Sequence, residues 1–302
     1  MNAEKKITII GAGMIGAGLA VNSALHGYRT ILYDVCDLEI VKKRMEDIMD
    51  IMVKCGAAAK EQAAQAMELV SYTGDMKEAV EGALLVEECL PERLELKQSV
   101  YGRIQEITGA GTLIASSTSG LLPSKLQEGA LYPEAIMAAH PYNPSYLLPL
   151  IELCGGKKTS RKNIEKAKEI FCEIGKVPII CQKEVEGFLV NKLSWACMSA
   201  AQEAVKNGLC SVEDIDKAIM FGPGMRMAVT GQLLTISLGC EGGFLALAEK
   251  YGKEPSAEDK LYAAGVEQEI LNRLPEQGNT VESVCGFRDY MFAELLKLHG
   301  LL

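Results

Sequence analysis

The chain is short of the features that mark several protein classes. Of its 302 residues only His26, His140 and His299 are histidine, and no two cysteines stand in a CxxC spacing. No Cys/His cluster has metal-ligand spacing, so no metal site is expected. Its ten cysteines run from Cys36 to Cys285, mostly in apolar company, as at Leu153-Cys154, Ile180-Cys181 and Ala196-Cys197. They read as small buried hydrophobes in a reducing compartment. Basic residues are in the minority, 31 Lys+Arg against 40 Asp+Glu for a net charge of −9. A sequence-independent nucleic-acid binder would need the opposite balance. No apolar run reaches the roughly 18 residues that cross a bilayer. Near the N-terminus the apolar stretch Ile7–Ile10 is too short for a signal-peptide core. The expectation is a cytoplasmic protein with a small-molecule substrate and neither a membrane nor a nucleic-acid partner.

What is present suffices for a large core. Hydrophobic residues make up 48% and charged residues 24%, and at roughly 100–200 residues per domain the length allows two domains. Ile7-Thr8-Ile9-Ile10 ends at Gly11, a buried-strand signature, and a helical pattern follows from Met14 to Leu25. Thr30-Ile31-Leu32-Tyr33 makes a second strand before Asp34. Strand, helix and strand within about 30 residues predict a parallel pair. Val41, Met45, Ile48 and Met52 share a helical face, and a second helix over 61–69 completes a helical-hairpin insertion. Further strands are predicted at 84–86, 112–115, 136–139 and 178–181, with helices between several of them. After Gly187 the pattern turns wholly helical, with clear helices at 188–207, 211–221 and 281–299. The predicted architecture is α/β: a Rossmann-type, mainly parallel sheet over 1–183, followed by an all-α C-terminal domain over 184–302.

Gly11-Ala12-Gly13-Met14-Ile15-Gly16 is a GxGxxG turn between strand and helix, and Asp34 follows Gly16 by 18 residues at the end of the next strand. Gly11 permits the tight turn, Gly13 lets a pyrophosphate approach the backbone, and Gly16 lets helix and strand pack closely. Free N–H groups at the helix start, including those of Met14 and Ile15, bind phosphate without a net positive charge. Asp34 would accept hydrogen bonds from the adenosine ribose and repel a 2′-phosphate, which favours NAD over NADP. FAD binding or an empty structural turn are the competing readings.

His140 follows the strand at 136–139, and so lies along the edge where open α/β sheets bind ligands. Two prolines, Pro141 and Pro144, point to a fixed loop after it, and the apolar run 147–151 ends at Glu152. A His/Glu pair suits alcohol oxidation, because loss of hydride from a carbinol requires the hydroxyl proton to leave at nearly the same time. An imidazole with a pKa near 6.5 can take that proton, and a carboxylate on its other nitrogen fixes the tautomer. Ser119 in the 115–120 hydroxyl-rich loop and Asn191 at the start of the second helical region supply polar groups, although serines also cap helices and asparagines fill turns.

These segments together resemble the 3-hydroxyacyl-CoA dehydrogenase family: GAGMIGAG at 11–18, PERLELK at 91–97, ASSTSG at 115–120, HPYNP at 140–144 with Glu152, and EGFLVNKL at 186–193. The resemblance implies that His140 is the base and Glu152 its partner. It implies that Ser119 and Asn191 contact the reacting oxygen, that Asn143 lies in the substrate site, and that Glu92 and Lys97 sit near the nicotinamide ribose. SSTSGLLPSKL at 116–126, QKEVEGFLVNKL at 182–193 and GPGMRMAVTG at 222–231 look most like the lambda-crystallin and L-gulonate 3-dehydrogenase branch, with carnitine dehydrogenases nearby. Arg226, alone among Gly and Met, is a candidate clamp for a free carboxylate; a structural ion pair is the alternative. Ser117 stands where many acyl-CoA members carry Asn.

The expected activity is NAD-dependent oxidation of an L-3-hydroxy acid to the 3-keto acid. A 3-hydroxyacyl-CoA thioester is the alternative substrate, with Lys42, Lys43, Lys54 and Lys60 of the helical hairpin available to CoA phosphates. A non-catalytic dinucleotide-binding protein is a more distant one. The apolar helices of the second domain predict a homodimer.

Overall fold

The computed structural model describes residues 5–302. Eight strands form one sheet: β1 (Lys6–Ile10), β2 (Arg29–Tyr33), β3 (Val70–Thr73), β4 (Leu85–Glu88), β5 (Leu113–Ser116), β6 (Ile136–Pro141), β7 (Leu150–Gly155) and β8 (Val177–Cys181). Their order is β3-β2-β1-β4-β5-β6-β7-β8. Every neighbouring pair is parallel except β6 with β7. The order reverses between β1 and β4, the point at which open α/β sheets leave a crevice for ligands.

The two faces of the sheet are covered separately. Ile7 and Ile9 of β1 point to one face, into a core shared with Leu19 of α1 (Met14–Leu25), Val41 and Met45 of α2 (Leu38–Lys54), and Ala63 of α3 (Lys60–Glu68). Ile10 points to the other face and packs with Ala79 of α4 (Met76–Val80), Tyr101 and Ile104 of α5 (Leu94–Thr108), and Leu126 of α6 (Pro123–Leu126). Alternation of side chains along a strand produces this division. Phe171 of α7 (Arg161–Glu173) closes the first core under β7 and β8. Helix α7 is capped by Ser160, whose hydroxyl accepts from the Asn163 N–H at 3.1 Å.

Two strands depart from the sequence reading. Val70–Thr73 is short, half polar and at the edge of the sheet, so its β conformation comes from pairing with β2 and not from an apolar run. The segment ending in Glu152 is not the tail of a loop: Leu150–Gly155 turns back and pairs antiparallel with β6.

The chain divides into two compact units, one ending at Trp195 and the other covering Ala196–Leu302. Helix α8 (Phe188–Lys206) runs across that division. The second unit contains no strand among the described residues and continues with α9 (Val212–Ile219), α10 (Met225–Thr230), α11 (Gln232–Leu238), α12 (Gly243–Lys250), α13 (Ala257–Asn272) and α14 (Val281–Leu298). Ser211 caps α9 by accepting from the Asp214 N–H at 3.0 Å, as its spacing predicts. Leu234, Phe244, Val266, Ile270 and Val284 form the small core of this unit.

Among the described residues, Glu87 is the one acid of the sheet left unpaired. It is 1% exposed, it lies opposite Ile9 and Ala115, and neither carboxylate oxygen has a hydrogen-bond partner. Burial, reinforced by the charge of Glu88 and opposed by Lys97, raises its pKa well above the ordinary carboxyl value. An unfolded Glu ionises near pH ~4.3. Between that value and the higher folded one the native state binds more protons than the unfolded chain, so stability falls as pH rises. Glu87→Gln removes this proton and flattens the dependence, by up to about 1.4 kcal/mol per pH unit. Urea unfolding of both proteins from mildly acidic to mildly alkaline pH checks this; parallel curves would contradict it.

Candidate active site

The glycine turn is built by close backbone approach. Gly11 leaves β1 at φ +92°, and its N–H donates to the Tyr33 carbonyl at 2.9 Å. A Cβ on Gly11 would lie 2.7 Å from the Cys89 carbonyl oxygen, and one on Gly16 would lie 2.1 Å from that of Gly11. Gly13 differs, because a Cβ there would meet nothing within 4 Å; its missing side chain leaves room outside the protein. Helix α1 begins at this point with no side-chain cap and no acidic residue in its first turn, so its positive end is open to an anion. Asp34 accepts the Ala12 N–H at 2.7 Å and the Cys36 N–H at 3.0 Å. Burial acts to raise its pKa, but these hydrogen bonds outweigh it and hold the carboxyl below its ordinary value. The open N-terminus of α1 and the Asp34 carboxylate have the chemistry that a dinucleotide's pyrophosphate and ribose hydroxyls require.

The antiparallel pairing of β6 and β7 sets His140 opposite Glu152. His140 Nδ1 and Glu152 Oε2 are 2.9 Å apart, and the two residues are 7% and 1% exposed. The other carboxylate oxygen, Oε1, accepts the backbone N–H groups of Leu189 at 2.9 Å and Val190 at 3.0 Å. These belong to the first turn of α8, whose dipole favours a negative charge there. Phe188, at φ +51°, stacks on the imidazole with ring centroids 5.5 Å apart. With Nδ1 engaged, Nε2 has no hydrogen bond to any described residue.

The loop after β5 is shaped by Glu92. Its Oε1 accepts the N–H groups of Ser119 at 3.1 Å and Gly120 at 3.0 Å, together with the Thr118 hydroxyl. Burial acts to raise the pKa of Glu92, but the Thr118 hydroxyl and the charge of Lys97 outweigh it and hold it low. Lys97 is fully buried, with Nζ 2.7 Å from Glu88 Oε1 and 3.7 Å from Glu92 Oε2. It also donates to the Leu90 carbonyl at 3.1 Å. Its ammonium is enclosed by protein oxygens, so it bears on the cleft through Glu92 and not by direct contact.

A cavity of about 460 Å³ is lined by Ile15, Ser117, Ser119, His140, Pro141, Tyr142, Asn143 and Asn191. Five residues expected from the sequence, Ile15, Ser119, His140, Asn143 and Asn191, are thus brought together, with Glu152 behind His140. Asn191 Nδ2 lies 3.5 Å from the Ser119 carbonyl oxygen. The proline loop is pinned to α1: Ser145 donates to the Ile15 carbonyl at 3.0 Å and Asn22 to the Tyr146 carbonyl at 3.1 Å. Lys176 secures its far side by donating to the Leu148 carbonyl at 3.2 Å, and burial pushes its pKa down to about 8. Arg226 belongs to the second unit, in the first turn of α10, where it is exposed and makes no ion pair with any described residue.

Sequence reasoning missed Tyr142, whose hydroxyl lies 2.9 Å from Ser194 Oγ, and the stacking of Phe188. It also missed the two N–H groups on Glu152, because backbone donors carry no residue-type signal.

The chain matches the family models described as "3-hydroxyacyl-CoA dehydrogenase, NAD binding domain" over residues 6–185 and "3-hydroxyacyl-CoA dehydrogenase, C-terminal domain" over residues 187–280. An L-carnitine dehydrogenase of Bacillus cereus is 34% identical, the alignment covering 98% of this chain and 93% of that protein. A lambda-crystallin homolog of Homo sapiens is 31% identical, over 97% and 95%. Among solved structures, an NAD+-dependent dismutase, 5-formyl-3-hydroxy-2-methylpyridine 4-carboxylic acid 5-dehydrogenase, aligns with a TM-score of 0.73 at 25% identity, covering 98% of this chain and 99% of that one. A diketoreductase gives a TM-score of 0.69 at 29% identity, over 89% and 93%. The chain is an NAD-dependent oxidoreductase and belongs to the 3-hydroxyacyl-CoA dehydrogenase family, in the branch that holds the lambda-crystallins and L-carnitine dehydrogenases.

Proposed function

We propose that the protein oxidises the 3-hydroxyl of an L-3-hydroxy acid to the 3-keto acid, reversibly, with His140 as general base. The observation that carries this reading is the 2.9 Å hydrogen bond between His140 Nδ1 and Glu152 Oε2 at the wall of the cavity. NAD, when bound, supplies the two-electron acceptor for the carbinol C–H. Nε2 of His140 takes the hydroxyl proton. Glu152 holds the proton on Nδ1, so Nε2 is the basic nitrogen, and it stabilises the imidazolium that forms. The Ser119 hydroxyl and the Asn191 amide hydrogen-bond the reacting oxygen, and Asn143 completes the polar wall. Glu92, backed by Lys97, keeps the Ser119 loop in place beside the nicotinamide ribose.

Free acids are favoured over thioesters by two observations. Relatives named for L-carnitine act, by their name, on a free 3-hydroxy acid. Arg226 is exposed and forms no ion pair with any described residue, and its fork is suited to a carboxylate. Homodimerisation belongs to the same reading: Leu261, Leu271, Leu274 and Val281 of the second unit are all more than half exposed, and a second copy would cover such a surface.

Loss of the base removes roughly 10²–10⁴ in rate. His140→Ala is expected to lower kcat by that factor with NADH binding unchanged, measured by cofactor fluorescence beside steady-state turnover. Glu152→Gln is expected to lower kcat in the same way; full activity in either variant means that the base lies elsewhere. A panel of matched free and CoA-linked 3-hydroxy acids, followed by NADH absorbance, identifies the substrate class. On the free acids, Arg226→Met is expected to raise KM about tenfold or more, the loss of a charge-assisted pair. An unchanged kcat/KM removes the carboxylate role. Sedimentation at micromolar concentration is expected to show a dimer, and a monomer alone would refute that assembly.

A further inference from the structure

Cys154 and Cys181 face one another at the same level of the adjacent parallel strands β7 and β8. Among the described residues no other two cysteines are register partners in the sheet. Neighbouring strands lie about 4.8 Å apart, inside the ~4.4–6.8 Å Cα separation that a disulfide spans. The Cys154 thiol donates to the Gly155 carbonyl at 3.8 Å and the Lys183 carbonyl at 3.9 Å. Cys154 is buried, whereas Cys181, on the last strand of the sheet, is half-buried.

The pair lies directly behind the residues proposed for catalysis. Cys181 Sγ donates to Glu152 Oε1 at 3.9 Å. Cys154 packs against Phe188, which stacks on His140. We propose that Cys154 and Cys181 are an oxidisable dithiol behind the His140–Glu152 pair, closed to a disulfide by hydrogen peroxide, and that closure slows turnover. The effect on turnover rests on the catalytic reading above; the chemistry of the pair does not.

The Cys181 thiolate attacks one peroxide oxygen, an S–O bond forms, the O–O bond breaks, and the departing hydroxide takes up a proton to become water. Cys154 sulfur then attacks the Cys181 sulfenic acid; the S–S bond forms, the S–O bond breaks, and the Cys154 proton leaves with that oxygen as a second water. Two thiols are oxidised by two electrons and the peroxide is reduced by two. The order follows from the environment. Cys181 is half-buried on the edge strand while Cys154 is enclosed; the neighbouring Cys154 thiol also holds Cys181 below its ordinary pKa, against burial and the charge of Glu152, while Cys181 and burial push Cys154 up. Cys181 is the attacking sulfur and Cys154 the resolving one.

Closure removes the S–H donated to Glu152 and draws the Cys181 sulfur towards β7. A small misplacement of a proton acceptor costs rate steeply, up to about 10²-fold for 1 Å.

The test treats the reduced, full-length protein with hydrogen peroxide, maps it by non-reducing proteolysis and mass spectrometry, and follows NADH production. The expected result is a linked peptide pair carrying Cys154 and Cys181, a fall in turnover of about tenfold or more, and recovery with dithiothreitol. Cys154→Ala is expected to keep the untreated turnover, to form no link and, lacking the resolving sulfur, to stop at the Cys181 sulfenic acid, trapped as a dimedone adduct. Absence of the link, a link with unchanged turnover, or no dimedone adduct on Cys181 in Cys154→Ala each overturns the proposal. The peptide map needs no substrate. A reduced protein that turns over no hydroxy acid would therefore count against the catalytic reading, while a missing link counts against the dithiol.

Discussion

One carboxylate ties the first unit together. Glu152 gives Oε2 to His140 and Oε1 to the first N–H groups of α8. A buried charge is tolerated only where hydrogen bonds replace the lost water, and both oxygens meet that condition. The same bonds fix three elements against one another: β6 through the imidazole, β7 through the carboxylate's own strand, and α8 through its N-terminus. Asn191 sits one residue beyond the second N–H donor, so the register of α8 that satisfies Glu152 also brings Asn191 to the cavity wall.

A second buried acid does comparable work on β4, three strands from β7. Glu88 meets Lys97, Tyr101 and Ser116, while its neighbour Glu87 points to the opposite face and meets no polar group. One peptide unit separates a fully paired carboxylate from an orphan. Lys97 shares its charge between Glu88 and Glu92, and Glu92 gathers the N–H groups of the Ser119 loop. The loop that presents Ser119 is thereby fastened to the end of β4, beside the turn that carries Gly11.

Much of this was legible in the sequence because it rests on local backbone rules. GxGxxG between strand and helix, with an acid 18 residues on, specifies a turn whose contacts now explain Gly11 and Gly16. Helix α1 runs over the residues its periodicity predicts, and Ser211 caps α9 as read. What was not legible depends on non-local pairing. Val70–Thr73 is a strand only because β2 offers it an edge. The antiparallel return of β7 could not be read from Leu147–Glu152, although it is what turns a separation of twelve residues into direct opposition. Lys97 looked like a cofactor contact by its resemblance; its complete burial follows from Glu88, which no motif singled out.

The character of the cavity bears on which substrate suits it. Apart from His140 its lining is neutral, with serine, asparagine and tyrosine as the hydrogen-bonding groups. Such a wall can position a hydroxyl or a ketone oxygen and exchange a proton with it. It offers no fixed cation to a carboxylate, and a net charge of −9 gives no long-range attraction for an acid. At physiological salt, charges beyond about 8 Å are largely screened, so recognition of an anionic substrate falls to a cation in direct contact. A thioester makes no such demand at the acyl end, because its carbonyl is neutral. The substrate class therefore turns on whether a guanidinium such as that of Arg226 meets the substrate at all, and not on the proposed proton-transfer pair, which would serve both chemistries equally.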